Sequence, residues 1–254
     1  MTRRTALVCL ILMAVAAAAA IFYSFSMPAH EDPIVRFARD FSRGDDGMVD
    51  QARRFVQQPP TAMEEIGFYG LETAPPRTRA FLATVSLLDN GQFIQSVEDK
   101  YLLEIFELWR DAGVIDRSTL PAAASAVFGP VLDGELYAIG EDKAAFDRFV
   151  ETLRAGYAQA TRELEEHIAA RGSNLLSIDA TDGDTMFFAL VDKTTADKWR
   201  DRTLSEHEGR RAGVRSPMWD RFWTLLTYAL GLPPDASSLP PGTRTQVEAT
   251  PFAE

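Results

Sequence analysis

Cysteine is nearly absent from this sequence, since Cys9 is the only one among 254 residues. It lies within an apolar N-terminal stretch, so the chain beyond that stretch carries no thiol. A disulfide framework, a catalytic thiolate and a cysteine-ligated zinc site are therefore excluded from the domain that follows.

Basic side chains and histidine are also scarce. The chain has 26 lysines and arginines and 3 histidines against 37 acidic residues, which gives a formal net charge of −11. Because such a charge repels phosphate backbones, the sequence predicts no nucleic-acid partner. Apolar residues make up 46% of the chain, which is normal for a globular protein and excludes general disorder.

Sequence signatures of well-known catalytic and cofactor sites are missing as well. The chain has no His-Glu-x-x-His pair, no Gly-x-Ser-x-Gly turn and no glycine-rich phosphate loop. From the sequence alone we therefore predict no catalytic residue, no metal ion and no cofactor.

A long apolar run is present at the N-terminus. Arg3 and Arg4 precede residues 6–22, which contain no charged side chain, and the run reaches residue 27 if a few weakly polar residues are allowed. As a helix, residues 6–27 would measure roughly 33 Å, enough to cross a hydrocarbon core of about 30 Å. The positive-inside rule then leaves the N-terminus in the cytoplasm and puts the rest of the chain outside.

This N-terminal segment has two possible fates. It either remains in the inner membrane as an anchor through residues 6–27 or is cleaved as a signal peptide, because residues 16–20 offer small side chains to a signal peptidase. Arginine outnumbers lysine and alanine is frequent, a composition that favours a bacterial origin and hence the periplasm.

The chain is predicted to divide into four parts. Residues 1–27 form the anchor or signal peptide and residues 28–33 a short polar linker. Residues 34–232 form the exported globular domain, and residues 233–254, which are rich in proline, form a flexible tail.

The exported domain is predicted to be α+β and predominantly helical, because apolar residues recur at helical spacing in most of it. The clearest helical segments are residues 34–41, a second helix capped by Asp45 or Asp46, residues 97–111, residues 142–170, and a last helix with Ser216 as its N-cap that ends at Gly231. One further helix, before this last one, is predicted to carry Ala196, Trp199 and Leu204.

Two β-hairpins are predicted, each followed by a helix. The first joins residues 126–128 to residues 136–139 across Asp133-Gly134, and the second joins residues 175–178 to residues 186–191 across Asp182-Gly183. The two stretches resemble each other, so they are either a tandem repeat or a chance similarity. Together they could form one small antiparallel sheet.

One segment is basic although the domain is acidic. His207, Arg210, Arg211 and Arg215 lie shortly before Trp219. An exposed aromatic ring beside arginines is typical of a protein-binding surface, so these five residues are the candidate partner-binding set. The alternative is a polar surface loop between two helices.

Acidic residues crowd a second segment, where Asp179, Asp182 and Asp184 form a possible acidic loop. These carboxylates could bind calcium or act as acid and base, although their spacing does not match an EF-hand. Aspartate and glycine are also the usual residues of a hairpin turn. All three interpretations remain open.

Glu163 and His167 lie four residues apart on a predicted helix and therefore share one face. Two such side chains could contribute ligands to a metal site. The alternative is a solvated helix face with salt bridges, because arginines flank the pair.

Two classes of function follow from these observations. The first is a non-enzymatic protein-binding domain of the bacterial envelope, either an immunity-type protein that neutralises a toxin in the periplasm or an accessory subunit of an envelope assembly. Its partner would be a periplasmic or secreted protein. The alternative is a carboxylate-based cell-wall hydrolase that uses Asp182 or Asp184 together with Glu206 or His207.

Overall fold

The computed structural model describes residues 31–69, 71–98, 104–133, 135–180, 185–217, 219–232, 238–243 and 250–251. The predicted anchor lies outside these ranges. Within them, no helix has both the length and the apolar character that crossing a membrane requires.

Helices dominate the described chain. Two short 3₁₀ turns, Glu64–Ile66 and Arg117–Thr119, lie between them. The α-helices are α1 (Pro33–Phe41), α2 (Asp46–Gln57), α3 (Pro76–Asn90), α4 (Glu104–Asp111), α5 (Ala122–Leu132), α6 (Leu136–Glu141), α7 (Lys143–Ala170), α8 (Lys193–Trp199) and α9 (Trp219–Ala229).

Within the described ranges, one sheet joins the strands in the order β1-β3-β2-β5-β4-β6. The first five pair antiparallel, and the two-residue β6 runs parallel to β4. The strands are β1 (Gln95–Glu98), β2 (Asn174–Asp179), β3 (Thr185–Val191), β4 (Arg202–His207), β5 (Arg210–Arg215) and β6 (Thr250–Pro251).

Helices cover both faces of the sheet, and β3 shows how the sequence allows this. Successive strand residues point to opposite faces, so Phe187 contacts Phe68 on one face while Phe188 contacts Trp109 on the other. A strand buried on both sides needs apolar residues at nearly every position, and β3 has them from Met186 to Val191.

Two buried clusters result. The α7-side cluster contains residues of α4, α5, α7 and α9, including Phe106, Trp109, Phe128, Leu153, Tyr157, Trp219 and Trp223. The α1-side cluster contains residues of α1, α3 and α8, including Ile34, Phe37, Phe41, Phe81, Leu88 and Trp199.

The predicted fold class is confirmed at the level of a mixed α+β domain that is predominantly helical. Helix ends follow the capping residues: the side chain of Asp45 accepts a hydrogen bond from the Met48 N–H, and that of Asp142 accepts from the Ala144 N–H. The second predicted hairpin is also present as β2 and β3, with Leu176 opposite Ala189. Its turn, residues 181–184, lies outside the described residues.

The first predicted hairpin is wrong, because residues 122–132 and 136–141 are the helices α5 and α6. Alanine has the highest helix propensity, and the run of alanines at the start of α5 favours a helix over a strand. The helix is then stabilised by packing on α7, where the Phe128 ring lies 6.3 Å from that of Tyr157. With no first hairpin, the two stretches are not copies of one hairpin-plus-helix unit.

Residues 205–209, expected in a polar loop between two helices, instead end β4 and form the tight turn of a second hairpin, between β4 and β5. Glu208 and Gly209 both have positive φ, 51° and 75°, as a two-residue hairpin turn requires. Leu204 therefore belongs to β4 and not to the preceding helix. Val97 likewise lies in β1, and α4 is described only from Glu104.

The last helix begins at Trp219, after the predicted N-cap. Ser216 bonds elsewhere, because its N–H and its hydroxyl both donate to the carboxylate of Asp201, at 2.8 and 3.2 Å. The helix ends as predicted, where Gly231 adopts a φ of 62°.

Parts of the predicted tail contact the domain. Leu239 packs against the α7-side cluster, and the carbonyl of Gly242 accepts a hydrogen bond from Arg162 at 3.4 Å. Strand β6 pairs with Arg202 and Thr203 of β4. Further along that edge, Arg77 Nε donates to the Leu204 carbonyl at 2.9 Å, so the β4 edge of the sheet is largely covered.

We expect Gly213→Ala to lower the free energy of unfolding by roughly 1–3 kcal/mol. Gly213 lies opposite Thr203, and a Cβ there would overlap the Arg202 carbonyl oxygen and lie 2.9 Å from the Thr203 Cα, so backbone would have to move. Urea unfolding measures the change. The control is Gly140→Ala in α6, where a Cβ meets nothing within 4 Å; a comparable loss there would contradict the steric argument.

Candidate functional site

The predicted partner-binding residues do not form one exposed surface. Arg210 is exposed at the start of β5, and the side chain of His207 at the end of β4 is 17% exposed. Arg211 lies opposite Glu206, with 3.9 Å between Nε and the carboxylate. These three residues surround the β4–β5 turn, whereas Arg215 and Trp219 are buried.

The exposed position expected for Trp219 is wrong. Its ring is 2% exposed and belongs to the α7-side cluster. The indole Nε1 donates to Glu165 at 2.7 Å, and the Trp219 carbonyl accepts a hydrogen bond from the buried Tyr157 hydroxyl at 2.8 Å. Trp219 therefore anchors α9 to α7.

Arg215 connects the basic segment to the acidic one. The residue is 3% exposed. Its Nη2 atom lies 3.5 Å from the Asp179 carboxylate and also donates a hydrogen bond to the Arg211 carbonyl. A buried guanidinium needs such partners, because an uncompensated buried charge is costly. Asp182 and Asp184 lie outside the described residues.

Glu163 and His167 have separate structural contacts. A carboxylate oxygen of Glu163 accepts from the N–H groups of Ala123 and Ala124, at 2.9 and 3.2 Å, and so caps the first turn of α5. His167 is 8% exposed, and its Nδ1 lies 3.1 Å from a guanidinium nitrogen of Arg171. Among the described residues, no three or more acidic, histidine or cysteine side chains are grouped to hold a metal ion.

We expect His167 to make the protein less stable as the pH falls below about 6.5. Burial lowers the pKa of His167 below its ordinary value of 6.5, the Arg171 charge lowers it further, and Asp116 raises it in part. Between 6.5 and the lower native pKa the unfolded chain binds the proton more readily, so protonation favours unfolding. Above 6.5 this group has no effect.

Urea unfolding as a function of pH tests the prediction. His167→Gln keeps an acceptor for Arg171 but does not titrate, so its free energy of unfolding should fall less than that of the wild type as the pH drops from 6.5. Parallel curves for the two proteins would contradict the assignment.

A cleft at the β1 edge of the sheet was not predicted from the sequence. It has a volume of about 490 Å³, within the usual range of ligand sites. We call it the acidic cleft, because its lining includes five carboxylates and, among described residues, no lysine, arginine or histidine. The acidic lining residues are Asp89, Glu98, Glu104, Glu107 and Asp111; the apolar ones are Ile66, Phe68, Val97, Leu108 and Phe187.

Helix α4 supplies one wall of the acidic cleft. Glu104, Glu107, Leu108 and Asp111 are spaced i, i+3, i+4 and i+7, so they share one helix face. The opposite face buries Ile105, Phe106 and Trp109 in the α7-side cluster. The buried apolar face thus holds α4 in position, and its acidic face lines the cleft.

Asp89 is the half-buried carboxylate of the cleft. It lies near the end of α3 and accepts a hydrogen bond from the Ser96 hydroxyl at 2.7 Å, and the Ser96 N–H also donates to it. Burial raises the pKa of Asp89, an effect that the two Ser96 bonds reduce in part. The bond to Ser96 joins α3 to β1.

One exposed apolar side chain lies in the wall of the cleft. Leu108, on α4, is 39% exposed there. Arg110, on the same helix, pairs with Asp111, with 3.3 Å between Nε and the carboxylate. The cleft therefore combines negative charge with accessible apolar surface.

No protein-family model matches this chain, and no curated protein or solved structure is significantly similar to it.

Proposed function

We propose that this chain is a non-enzymatic binding domain exported to the bacterial envelope, and that it holds a protein partner in the acidic cleft. The observation that carries the proposal is the combination of five carboxylates with the exposed Leu108 in one cavity. Burial of apolar surface supplies affinity in protein interfaces, and charge complementarity supplies specificity and rate.

The β4–β5 turn supports partner binding less well than the cleft. Arg211 lies near Glu206, and His207 lies 3.8 Å from the Glu208 carboxylate, so acidic neighbours offset the basic charge there. Trp219 and Arg215 are buried. The predicted partner-binding set therefore lacks the exposed aromatic ring beside arginines for which it was chosen.

Within this class, we propose an immunity-type protein that neutralises a toxin in the periplasm. An acidic cleft is complementary to a toxin with a basic surface, and tight neutralisation benefits from electrostatic steering. An accessory subunit of an envelope assembly is the other version. Inner-membrane attachment through residues 6–27 suits both versions.

A carboxylate-based cell-wall hydrolase is the second candidate, and Asp89 favours it. A general acid in glycoside hydrolysis needs a raised pKa beside a second carboxylate, and the pKa of Asp89 is raised within a cleft that holds four more acids. This assignment differs from the predicted pairs of Asp182 or Asp184 with Glu206 or His207.

Affinity capture with the full chain tests the binding proposal. Wild-type protein should retain one stoichiometric partner from envelope or secreted fractions, and Glu104→Gln/Glu107→Gln should retain much less of it. The matched control is Glu151→Gln/Glu166→Gln, which removes the same charge from exposed positions on α7. Equal capture by both double variants would contradict the role of the cleft.

The same proteins distinguish the hydrolase. Release of soluble fragments from purified cell wall by the wild type, and its loss in Asp89→Asn, would favour the enzyme and overturn the binding proposal. We expect no release from either protein.

A further inference from the structure

We infer that the acidic cleft receives an extended basic segment of the partner, with arginine or lysine side chains at every second position. This inference rests on the proposed function and specifies the chemistry that the cleft recognises. Its occupant is a stretch of protein chain and not a single small cation.

The distribution of charge along α4 sets the spacing of the ligand's cations. From Glu104 to Asp111 the acidic face extends for about 10 Å of helix, and neighbouring acids on it are roughly 5–6 Å apart. In an extended chain, side chains on one face recur about every 6–7 Å. Two basic residues separated by one residue therefore match two successive carboxylates on α4.

The apolar lining suits the stems of such side chains. Leu108 is the i+4 neighbour of Glu104 and the i−3 neighbour of Asp111 on the same helix face. Phe68 and Phe187 also line the cleft, with 6.2 Å between their ring centroids. Arginine and lysine bury their methylene stems on apolar surface while the charged head reaches a carboxylate. A bare metal ion gains nothing from this surface.

Asp89 provides a fixed acceptor at the sheet side of the cleft. Both Ser96 bonds hold its carboxylate in place, so a guanidinium or ammonium group that approaches it meets an oriented partner. While the cleft is empty, the half-buried negative charge of Asp89 has lost part of its hydration, which costs free energy. A cation that enters the cleft offsets this cost. Asp89→Asn keeps the acceptor for Ser96 and removes the charge, which makes it a selective probe.

Calorimetric titration of the full chain in detergent tests the inference. The probe is a short uncharged-ended peptide with arginine at every second position, and its reference is the same peptide with citrulline in place of arginine. We expect the arginine peptide to bind at least about tenfold more tightly than the citrulline peptide. Glu104→Gln/Glu107→Gln and Asp89→Asn should each lose most of this preference.

Several outcomes would overturn the inference. Equal affinity for the two peptides would remove the cationic requirement. Equal losses of the arginine preference in Glu104→Gln/Glu107→Gln and in the control Glu151→Gln/Glu166→Gln would show that the peptide is attracted by the net charge of the protein and not by the cleft. Spermidine that binds as tightly as the arginine peptide would assign the cleft to a small polyamine.

The failure of this inference is distinguishable from that of the proposed function. If the wild type captures a partner that Glu104→Gln/Glu107→Gln does not retain, and the wild type shows no preference for the arginine peptide, the proposed function stands and the cationic segment is wrong. If the arginine peptide binds selectively and no partner is captured, the cation site stands and the proposed function fails.

Discussion

Trp199→Ala is expected to lower the free energy of unfolding by about 3–5 kcal/mol. The side chain is fully buried in the α1-side cluster, and its ring contacts Phe37 and Phe41 edge-on, with centroids at 5.6 and 6.1 Å. Its Nε1 also donates to Asp40 at 2.6 Å, which ties α8 to α1. Truncation removes the apolar contacts, leaves a cavity and breaks this bond.

Denaturant unfolding monitored by far-UV circular dichroism measures the loss. Tyr228→Ala provides the control, because that aromatic ring is 85% exposed and its removal should change stability by no more than about 0.5 kcal/mol. A loss below about 1 kcal/mol in Trp199→Ala would contradict the packing that joins α8 to α1.

Charge reversal in the acidic cleft should have the largest effect on binding. Glu104→Lys/Glu107→Lys is expected to weaken the affinity for the partner on the order of a hundredfold, because placing like charges against a cationic segment costs several kcal/mol. Both side chains are exposed, so the stability of the domain should change little.

Surface plasmon resonance with the captured partner measures this effect, and Glu151→Lys/Glu166→Lys is the matched control. The control makes the same change in net charge on the exposed side of α7 and should retain affinity within a few fold. The difference should shrink at high salt, because screening weakens interactions between exposed charges. A similar loss in both variants would contradict a localised site.

Local sequence signals predicted the helices and strands that are determined by their own residues and not by packing against distant ones. Helices α1, α2 and α7 have apolar periodicity and aspartate caps, and the Asp182-Gly183 pair in the sequence predicts a turn between two strands. The signals failed where tertiary packing decided the outcome. Residues 126–128 look like a strand in isolation, yet the alanines before them and the surface of α7 make the segment a helix.

The β4–β5 hairpin was missed because its sequence lacks the usual signals. Its turn is Glu208-Gly209 and not Asn-Gly, and Arg210 and Arg211 give its second strand a polar start. The pairing is determined by Gly213, which allows the strands to approach, and by the cover that Arg77 and Thr78 provide for β4.

The acidic cleft could be anticipated only in part. The spacing of Glu104, Glu107 and Asp111 is visible in the sequence and indicates an acidic helix face. Nothing local connects that face to Asp89 or Ser96, because α4 is positioned by the packing of Trp109 on Phe188 of β3, the strand that pairs with β1. The buried positions of Arg215 and Trp219 are equally non-local, since both depend on how β5 and α9 pack against the rest of the domain.

Site-specific photocrosslinking tests the central claim, that the partner binds in the acidic cleft, most directly. A benzophenone side chain at position 108, in cells that produce the full chain, should give one covalent adduct with the partner. The same group at position 166, on the exposed side of α7, should give none. Adducts from position 166 alone, or from neither position while the partner is still captured, would contradict binding in the cleft.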